Sequence, residues 1–589
     1  MSYTTVNVHQ KCDKKGEAYR IAALVLFCTL LFLPGAFYRD LWTPDEPRYA
    51  EIAREMVETG QWIVPHLNFE VYHDKPPLHF WLVALCAKLF GGFSTLAAMF
   101  PAFLAGTGTV LLTYMLGKRM FGNNLTGFLG GIVLATGAEY LALSSMGRMD
   151  APLTFFETVS IYCFWQWHID QKRAYLVPFY IGIGLAVLTK GPVALLPLVA
   201  ALIYLAVSRQ GGKVRRMGLG LGLLGVAAMT AAWLVPAAII GGEAYWKEIL
   251  GRQIFGRVYN SWSHKDVFYY YFEHFPWGFM PWFVLLIPAV IRYAKDRSER
   301  TSIQTKFLVT WFLTIFIFFT LISGKREVYI LPLYPACALF VAKYLADIVV
   351  IRNQKPIELR VCFGLLFASM AVCAAGLLVV LALPLLSNVM SGIRSLLEHE
   401  PLSRLPTDPV LFATAFVYMG AMGVSGLLSL RARTFKPALV LASCFMLGTV
   451  VLIGPLAVPY VNQNKSAMPL GNKLTETRKG TEQVGMYGIY RAEFTYYTKL
   501  RIETIMTEDE LDAFLKLPGG AFCIIREDWL RDIKQPLPEG TVQLGTFPVG
   551  HRMLVLLYNP PDGPGSGGAG TSPAEQVPFQ GSTQGTSTR

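Results

Sequence analysis

Two short acidic clusters hold the side chains best placed to do chemistry in this chain. Thr43-Pro44-Asp45-Glu46-Pro47-Arg48-Tyr49 follows the first apolar run, and Gly147-Arg148-Met149-Asp150-Ala151-Pro152 follows the third. Prolines on both sides of Asp45 and Glu46 place them in a tight entry to a helix, where a carboxylate is aimed rather than merely solvated. There Asp45 and Glu46 can act as a base or hold a cationic group, and Asp150 can do the same. The plainer alternative for Asp45 and Asp150 is capping of the helices they precede. A second group, Val71-Tyr72-His73-Asp74-Lys75-Pro76-Pro77, adds a lysine, a carboxylate and an aromatic. Arg48, Arg148, Lys190, Arg252, Arg257, Lys325 and Arg326 fall in the same set of loops, with Tyr49 and Tyr329 beside them. Cations gathered on the membrane face where few are expected point to an anionic ligand, a phosphate or pyrophosphate carried on a lipid.

The elements that must position these residues are membrane helices. Of 589 residues 53% are hydrophobic and 16% charged, a composition for which lipid is the solvent. The net charge of +12 sits in short clusters between apolar runs, the mark of the positive-inside bias rather than of a nucleic-acid partner. Most of the nine cysteines lie in apolar runs, so no disulfide framework is expected. The run from Arg20 to Phe37 has no small-residue cleavage site after it and reads as a retained anchor. Apolar runs of spanning length number about thirteen between residues 20 and 457, and every second loop between them is basic. Those basic loops are expected on the cytoplasmic side and both acidic clusters on the outer one. Pro47 to Thr59 and Pro77 to Phe90 are too short or too polar to span, so the first outer loop is expected to be a pair of interfacial helices around a site.

The expected organisation is a cytoplasmic segment 1–19, a transmembrane domain 20–458, a soluble α/β domain 459–560 on the outer face and a disordered tail 561–589. Strand-like runs such as Ala521 to Ile525 and Met553 to Tyr558 alternate with a helical Glu508 to Leu517, while the tail is rich in Pro, Gly, Ser and Thr. Asp74 and His264 form a candidate pair for a divalent metal, Zn or Mg/Mn, although no His-x-x-His or Cys ligand spacing accompanies them. No Gly-rich phosphate loop lies in a βα context, so no nucleotide cofactor is expected. A lipid or solute transporter is the competing class. Transporters place ionisable groups inside their spans, whereas here the charge gathers at the rim.

In order along the chain, Asp45-Glu46-x-Arg48-Tyr49, His73-Asp74-Lys75-Pro76-Pro77, Arg148-Met149-Asp150, Thr189-Lys190-Gly191-Pro192 and Ser323-Gly324-Lys325 with Tyr329-Ile330-Leu331-Pro332 resemble motifs of one family. These are the polytopic GT-C glycosyltransferases, in the branch that joins protein O-mannosyltransferases to the lipid A aminoarabinose transferases. The resemblance implies a GT-C fold with interfacial helices in the first outer loop and an outer α/β domain. It also implies a donor sugar on a polyprenyl phosphate, inversion at C1, and a lipid (lipid A-like) or protein acceptor at the outer face of a bacterial inner membrane. In that setting Arg48, Lys75 and Lys190 are expected to neutralise the leaving phosphate, with Tyr329 as a hydrogen-bond donor. Asp45 would be the base toward an acceptor hydroxyl, oriented with the sugar by Asp150. If the acceptor is itself a phosphate, Asp45 would position the sugar instead. Tyr49, Tyr72, Arg148 and Arg257 complete the expected substrate contacts. Asp74 stands where the family has Glu.

Overall fold

The structure is a computed structural model that describes residues 14–249, 266–351, 357–387, 408–432, 435–488 and 493–561. Each expected apolar run within them falls on a helix. Seven helices among the described residues are long and apolar enough to cross a membrane, or nine if two sharply bent pairs, 73° and 108°, each make one span. The other runs lie on shorter or more polar helices, including Lys14–Phe32, Asp150–Asp170 and Leu176–Lys190. The chain is a polytopic α-helical membrane protein. Helices Thr95–Phe121 and Asn124–Ala135 meet backbone to backbone, because a Cβ added at Gly127 would lie 2.4 Å from the Tyr114 carbonyl oxygen. Small residues at such crossings replace the hydrophobic drive that lipid does not supply.

Both interfacial helices are present, as Asp45–Thr59 and Leu78–Leu89. On the first, Tyr49, Ile52, Ala53 and Met56 recur at helical spacing and bury their side chains against Phe80, Val83 and Ala84 of the second. Gly60, at φ 72°, ends the first helix. Between the two helices a hairpin pairs strands β1 (His66–Leu67) and β2 (Glu70–Val71). Its two turn residues, Asn68 and Phe69, lie at φ 58° and 65°, a turn that matches strand twist but strains a phenylalanine. The Glu55 carboxylate holds that turn, accepting hydrogen bonds from the Asn68 and Phe69 amides at 2.6 and 3.0 Å.

The chain divides into two compact units. The first runs to Glu476 and takes in residues 491–501 and 547–554; the second comprises Thr477–Tyr490, Ile502–Thr546 and the chain from Val555. Helix Gly454–Lys465 prolongs the membrane helix before it, and its end is tied to the first long loop through Trp42 Nε1 to Asn462 Oδ1 at 2.9 Å and Thr43 N to Lys465 O at 3.1 Å. The second unit is the expected α/β fold. Strands β3 (Gln483–Tyr487), β4 (Glu503–Ile505), β5 (Ala521–Arg526), β6 (Val542–Val549) and β7 (Arg552–Asn559) form one sheet in the order β4-β3-β5-β7-β6, with β3 parallel to β4 and β5. Helix Glu508–Leu515 starts in a Thr507/Glu510 capping box and packs Leu511 and Leu515 onto β5. The tail from residue 562 lies outside the described residues.

Candidate active site

The site begins where the connector after the first helix turns into Asp45–Thr59. Glu46 fixes that corner. Its two oxygens take Arg39 at 2.6 and 2.8 Å, the Trp42 amide at 2.9 Å and the Gly147 amide at 2.6 Å. Arg39 also donates to the Ser145 carbonyl at 3.2 Å. One buried carboxylate thus pins the first acidic cluster to the turn that carries the second. Gly147 lies against the Ala98 carbonyl, where a Cβ would come to 3.1 Å, so a side chain there would press the turn away from its partner.

With the corner pinned, Asp45 and Asp150 come to lie beside one guanidinium. Arg148 reaches Asp45 Oδ2 at 3.0 Å through one nitrogen and Asp150 Oδ2 at 3.1 Å through another. Arg326 donates to the same Asp45 Oδ2 at 3.1 Å, and Lys190 pairs with Asp150 Oδ1. The result is a chain of alternating charge, Arg326, Asp45, Arg148, Asp150 and Lys190, drawn from four stretches of sequence, with both aspartates buried and the three cations partly so. Asp45 Oδ1 is left facing Arg48 at 3.9 Å. Neither aspartate caps its helix, since Pro44 and Met149 hold the cap positions without side-chain hydrogen bonds. Burial alone would raise the Asp45 pKa. The guanidinium groups of Arg148, Arg326 and Arg48 outweigh it and hold the carboxyl below its ordinary value.

Lys190 joins the charge chain to a cavity of about 290 Å³ lined also by His73, Asp74, Lys75, Gly191 and Tyr329. Its ammonium stands 4.8 Å over the Tyr329 ring. The rest of the lining is apolar apart from Thr230, with Leu153, Val187, Trp233 and Phe319 among it. A phosphate at the mouth of such a cavity would meet two lysines, and a hydrocarbon chain behind it would meet aliphatic and aromatic walls. Tyr49 and Tyr72 are buried beside Arg48 and pack on Phe80, with centroids 5.8 and 6.0 Å away, and Tyr49 is also edge-on to His79 at 5.5 Å.

Of the residues singled out in the sequence, Asp45, Arg48, Arg148, Asp150 and Lys190 are brought into one cluster, and Asp74, Lys75, Lys190 and Tyr329 into one cavity. Glu46 stands apart from both, occupied by Arg39 and two amides. Arg257 and His264 lie outside the described residues. Among those described, no three of His, Cys, Asp and Glu come together as a metal-holding group, so Asp74 has no ligand set around it there. Sequence reasoning missed Arg39, whose only signal was its place at the end of the first apolar run. It also left Arg326 as one outer cation among several, whereas its guanidinium is hydrogen-bonded to Asp45. Glu327, next to Arg326, accepts a hydrogen bond from Tyr270 at 2.8 Å and was not anticipated.

The family model for dolichyl-phosphate-mannose-protein mannosyltransferases matches residues 18–245. The undecaprenyl phosphate-alpha-4-amino-4-deoxy-L-arabinose arabinosyl transferase of Enterobacter sp. (strain 638) is 30% identical over 62% of this chain and 66% of its own length. The protein of the same name from Erwinia tasmaniensis is 27% identical over 88% of this chain and 92% of its own. Leading sequence alignments span 59% to 66% of the relatives they match, under two thirds of each. In structure, ArnT from Cupriavidus metallidurans, crystallised with undecaprenyl phosphate, superposes with a TM-score of 0.70 at 20% identity, covering 92% of this chain and 98% of the other. A helical membrane domain with interfacial helices in its first long loop and a small α/β unit near its C-terminus is therefore the GT-C glycosyltransferase fold. Within that fold class the chain is similar in sequence to the protein mannosyltransferase family model and to the aminoarabinose transferases.

Proposed function

We propose that this protein transfers an amino sugar of the 4-amino-4-deoxy-L-arabinose type from a polyprenyl phosphate to a phosphate-bearing, lipid A-like acceptor. The reaction takes place on the outer face of a bacterial inner membrane and inverts C1. The donor and sugar follow the relatives' names, and the face follows the alternation of basic loops. The observation that carries the choice of acceptor is Asp45 held by Arg148, Arg326 and Arg48.

A carboxylate whose pKa is depressed is a poor base toward an alcohol, because efficient proton transfer needs a catalytic pKa near the working pH. A phosphate oxygen on the acceptor is already anionic and needs no base. It attacks C1 from the face opposite the leaving group, the new bond forms as the C1–O bond to the polyprenyl phosphate breaks, and the departing phosphate keeps the electron pair. Lys75 and Lys190, with the Tyr329 hydroxyl, neutralise the charge that grows on that oxygen. Arg326 and Arg48 are placed to receive the acceptor phosphate. Asp45 Oδ1, which faces Arg48 at 3.9 Å, is placed to hold the ammonium of the sugar, with Asp150 holding Arg148 and Lys190 in position. Glu46 acts through Arg39 and Gly147 and is a positioning residue.

The test is transfer from synthetic polyprenyl-phosphate aminoarabinose to lipid A and to enzymatically dephosphorylated lipid A, followed by mass spectrometry. The aminopentose mass is expected on the phosphorylated acceptor only. Equal transfer to the dephosphorylated acceptor would return Asp45 to the role of base toward a hydroxyl, and a sugar mass on envelope protein instead would favour the mannosyltransferase reading that the family model's description suggests.

A further inference from the structure

A larger cavity lies outside the charge chain. A groove of about 1010 Å³ runs between the Leu196–Val207 and Ile303–Leu321 helices, with Val199, Ile203, Val309 and Leu313 along its walls. Its upper end meets Pro192 and Phe318, which also line the site cavity. At its lower end stand Arg300 and Lys306. The helical stretch from Lys306 to Phe318 is about 18 Å long at 1.5 Å per residue, close to the hydrocarbon depth of one leaflet in a bilayer core of about 30 Å.

Several cations of the neighbouring helices are matched. Lys118 pairs with Glu17 at 2.6 Å, Lys343 with Glu299 and Asp347 at 2.9 Å each, and Arg119 with Asp170. Among the described residues, neither Arg300 nor Lys306 has a carboxylate partner. An apolar channel one leaflet deep that ends in two unmatched cations has the shape and charge of a phospholipid's acyl chain and phosphate. We propose that this groove binds an anionic phospholipid of the leaflet opposite the active site, with its phosphate on Arg300 and Lys306 and one acyl chain along Val309 and Leu313. A polyprenyl tail descending from the site would carry no charge to the lower end and would leave both cations unmatched. Because Pro192 and Phe318 serve both cavities, a lipid seated here would brace the wall of the donor cavity.

The experiment uses the full chain in neutral detergent, native mass spectrometry, and dioleoyl phosphatidylglycerol or dioleoyl phosphatidylcholine as probe. Wild type is expected to keep one phosphatidylglycerol with about tenfold preference over phosphatidylcholine, the scale set by two surface cations and an anionic headgroup. The double variant Arg300→Gln, Lys306→Gln should lose the preference. Val309→Trp, at a position 40% exposed, should weaken retention of both lipids with the cations intact. Arg215→Gln, on a different basic loop, should change nothing. Melting temperatures without added lipid report whether each variant is folded. Equal retention of the two lipids by wild type would overturn the proposal, as would a preference that survives in the double variant. Displacement of phosphatidylglycerol by equimolar polyprenyl phosphate would assign the groove to the donor's tail instead. No readout is turnover, so failure here leaves the transfer reaction untouched.

Discussion

The helix Asp45–Thr59 carries two buried clusters of carboxylate and arginine, and they are built in opposite ways. Toward its C-terminal end, Arg54 pairs with Glu51 at 2.6 Å and with Glu58, three and four residues away, and Glu55 holds the Asn68–Phe69 turn. Everything that cluster needs lies within the helix and the hairpin after it. In the first turn, Asp45 takes cations from residues 148 and 326, and two of those guanidinium groups share one oxygen. Bringing like charges together from remote segments serves no structural need that a local pair could not meet. On the proposed function, the contrast separates a cluster that holds a loop from one that awaits a substrate.

Breaking the first cluster should abolish turnover without unfolding the protein. Asp45→Asn keeps shape and burial but removes the charge between Arg148, Arg326 and Arg48, and transfer should fall about a thousandfold, the scale of a lost electrostatic contact in a dry site. A melting temperature near wild type completes the expectation; activity above a tenth of wild type would take Asp45 out of the site. Breaking the second cluster should do the reverse. Arg54→Ala leaves buried carboxylates without their counter-charge, a loss of about 3 kcal/mol in stability, with unchanged turnover per folded molecule. Thermal unfolding and a normalised transfer assay distinguish the two.

A third measurement sharpens the contrast at the cavity. Lys75→Ala at saturating donor should lower turnover about a hundredfold with a smaller change in donor affinity, because the charge on the leaving oxygen grows in the transition state. Lys88→Ala, whose ammonium lies over the Trp62 ring at 4.7 Å, should behave as wild type. The smallest effect concerns pH. Burial, with the nearby Glu51 carboxylate, pushes the Glu55 pKa up to about 7, against the two amides that favour its charged form. A carboxyl raised in the folded state gives stability that is complete below its ordinary value of 4.5 and is lost as pH rises toward 7. Wild type should therefore melt at lower temperature at pH 8 than at pH 5, and Glu55→Gln should flatten that slope; an unchanged slope in the variant would place the titrating group elsewhere.

The sequence made the larger plan legible for physical reasons. Apolar length marks membrane helices, prolines around Asp45 and Glu46 mark an aimed corner, and alternating basic loops put both acidic clusters on one face. Five of the cluster's residues, Asp45, Arg48, Arg148, Asp150 and Lys190, were each readable as charge in the wrong place. Glu46 was readable as a carboxylate but not as a clamp, because its partners are Arg39 across an irregular connector and the amide of Gly147, and neither periodicity nor spacing reports such contacts. Arg326 stood in a run with Lys325, and nothing in the run says which of the two meets Asp45. Helix Met468–Thr477 is polar enough to look soluble, and its contacts group it largely with the first unit.

Four cations, Arg48, Arg148, Arg326 and Lys190, gather around Asp45 and Asp150, with Glu327 and Glu493 as further carboxylates acting on them from farther off. On the proposed reaction, the donor is a phosphodiester with one negative charge, and the polyprenyl monophosphate left behind carries about −1.5 to −2 at neutral pH. The spent carrier should then bind more tightly than the fresh donor. Turnover would be governed by the departure of the carrier, and added polyprenyl phosphate should inhibit competitively at concentrations below the donor's KM.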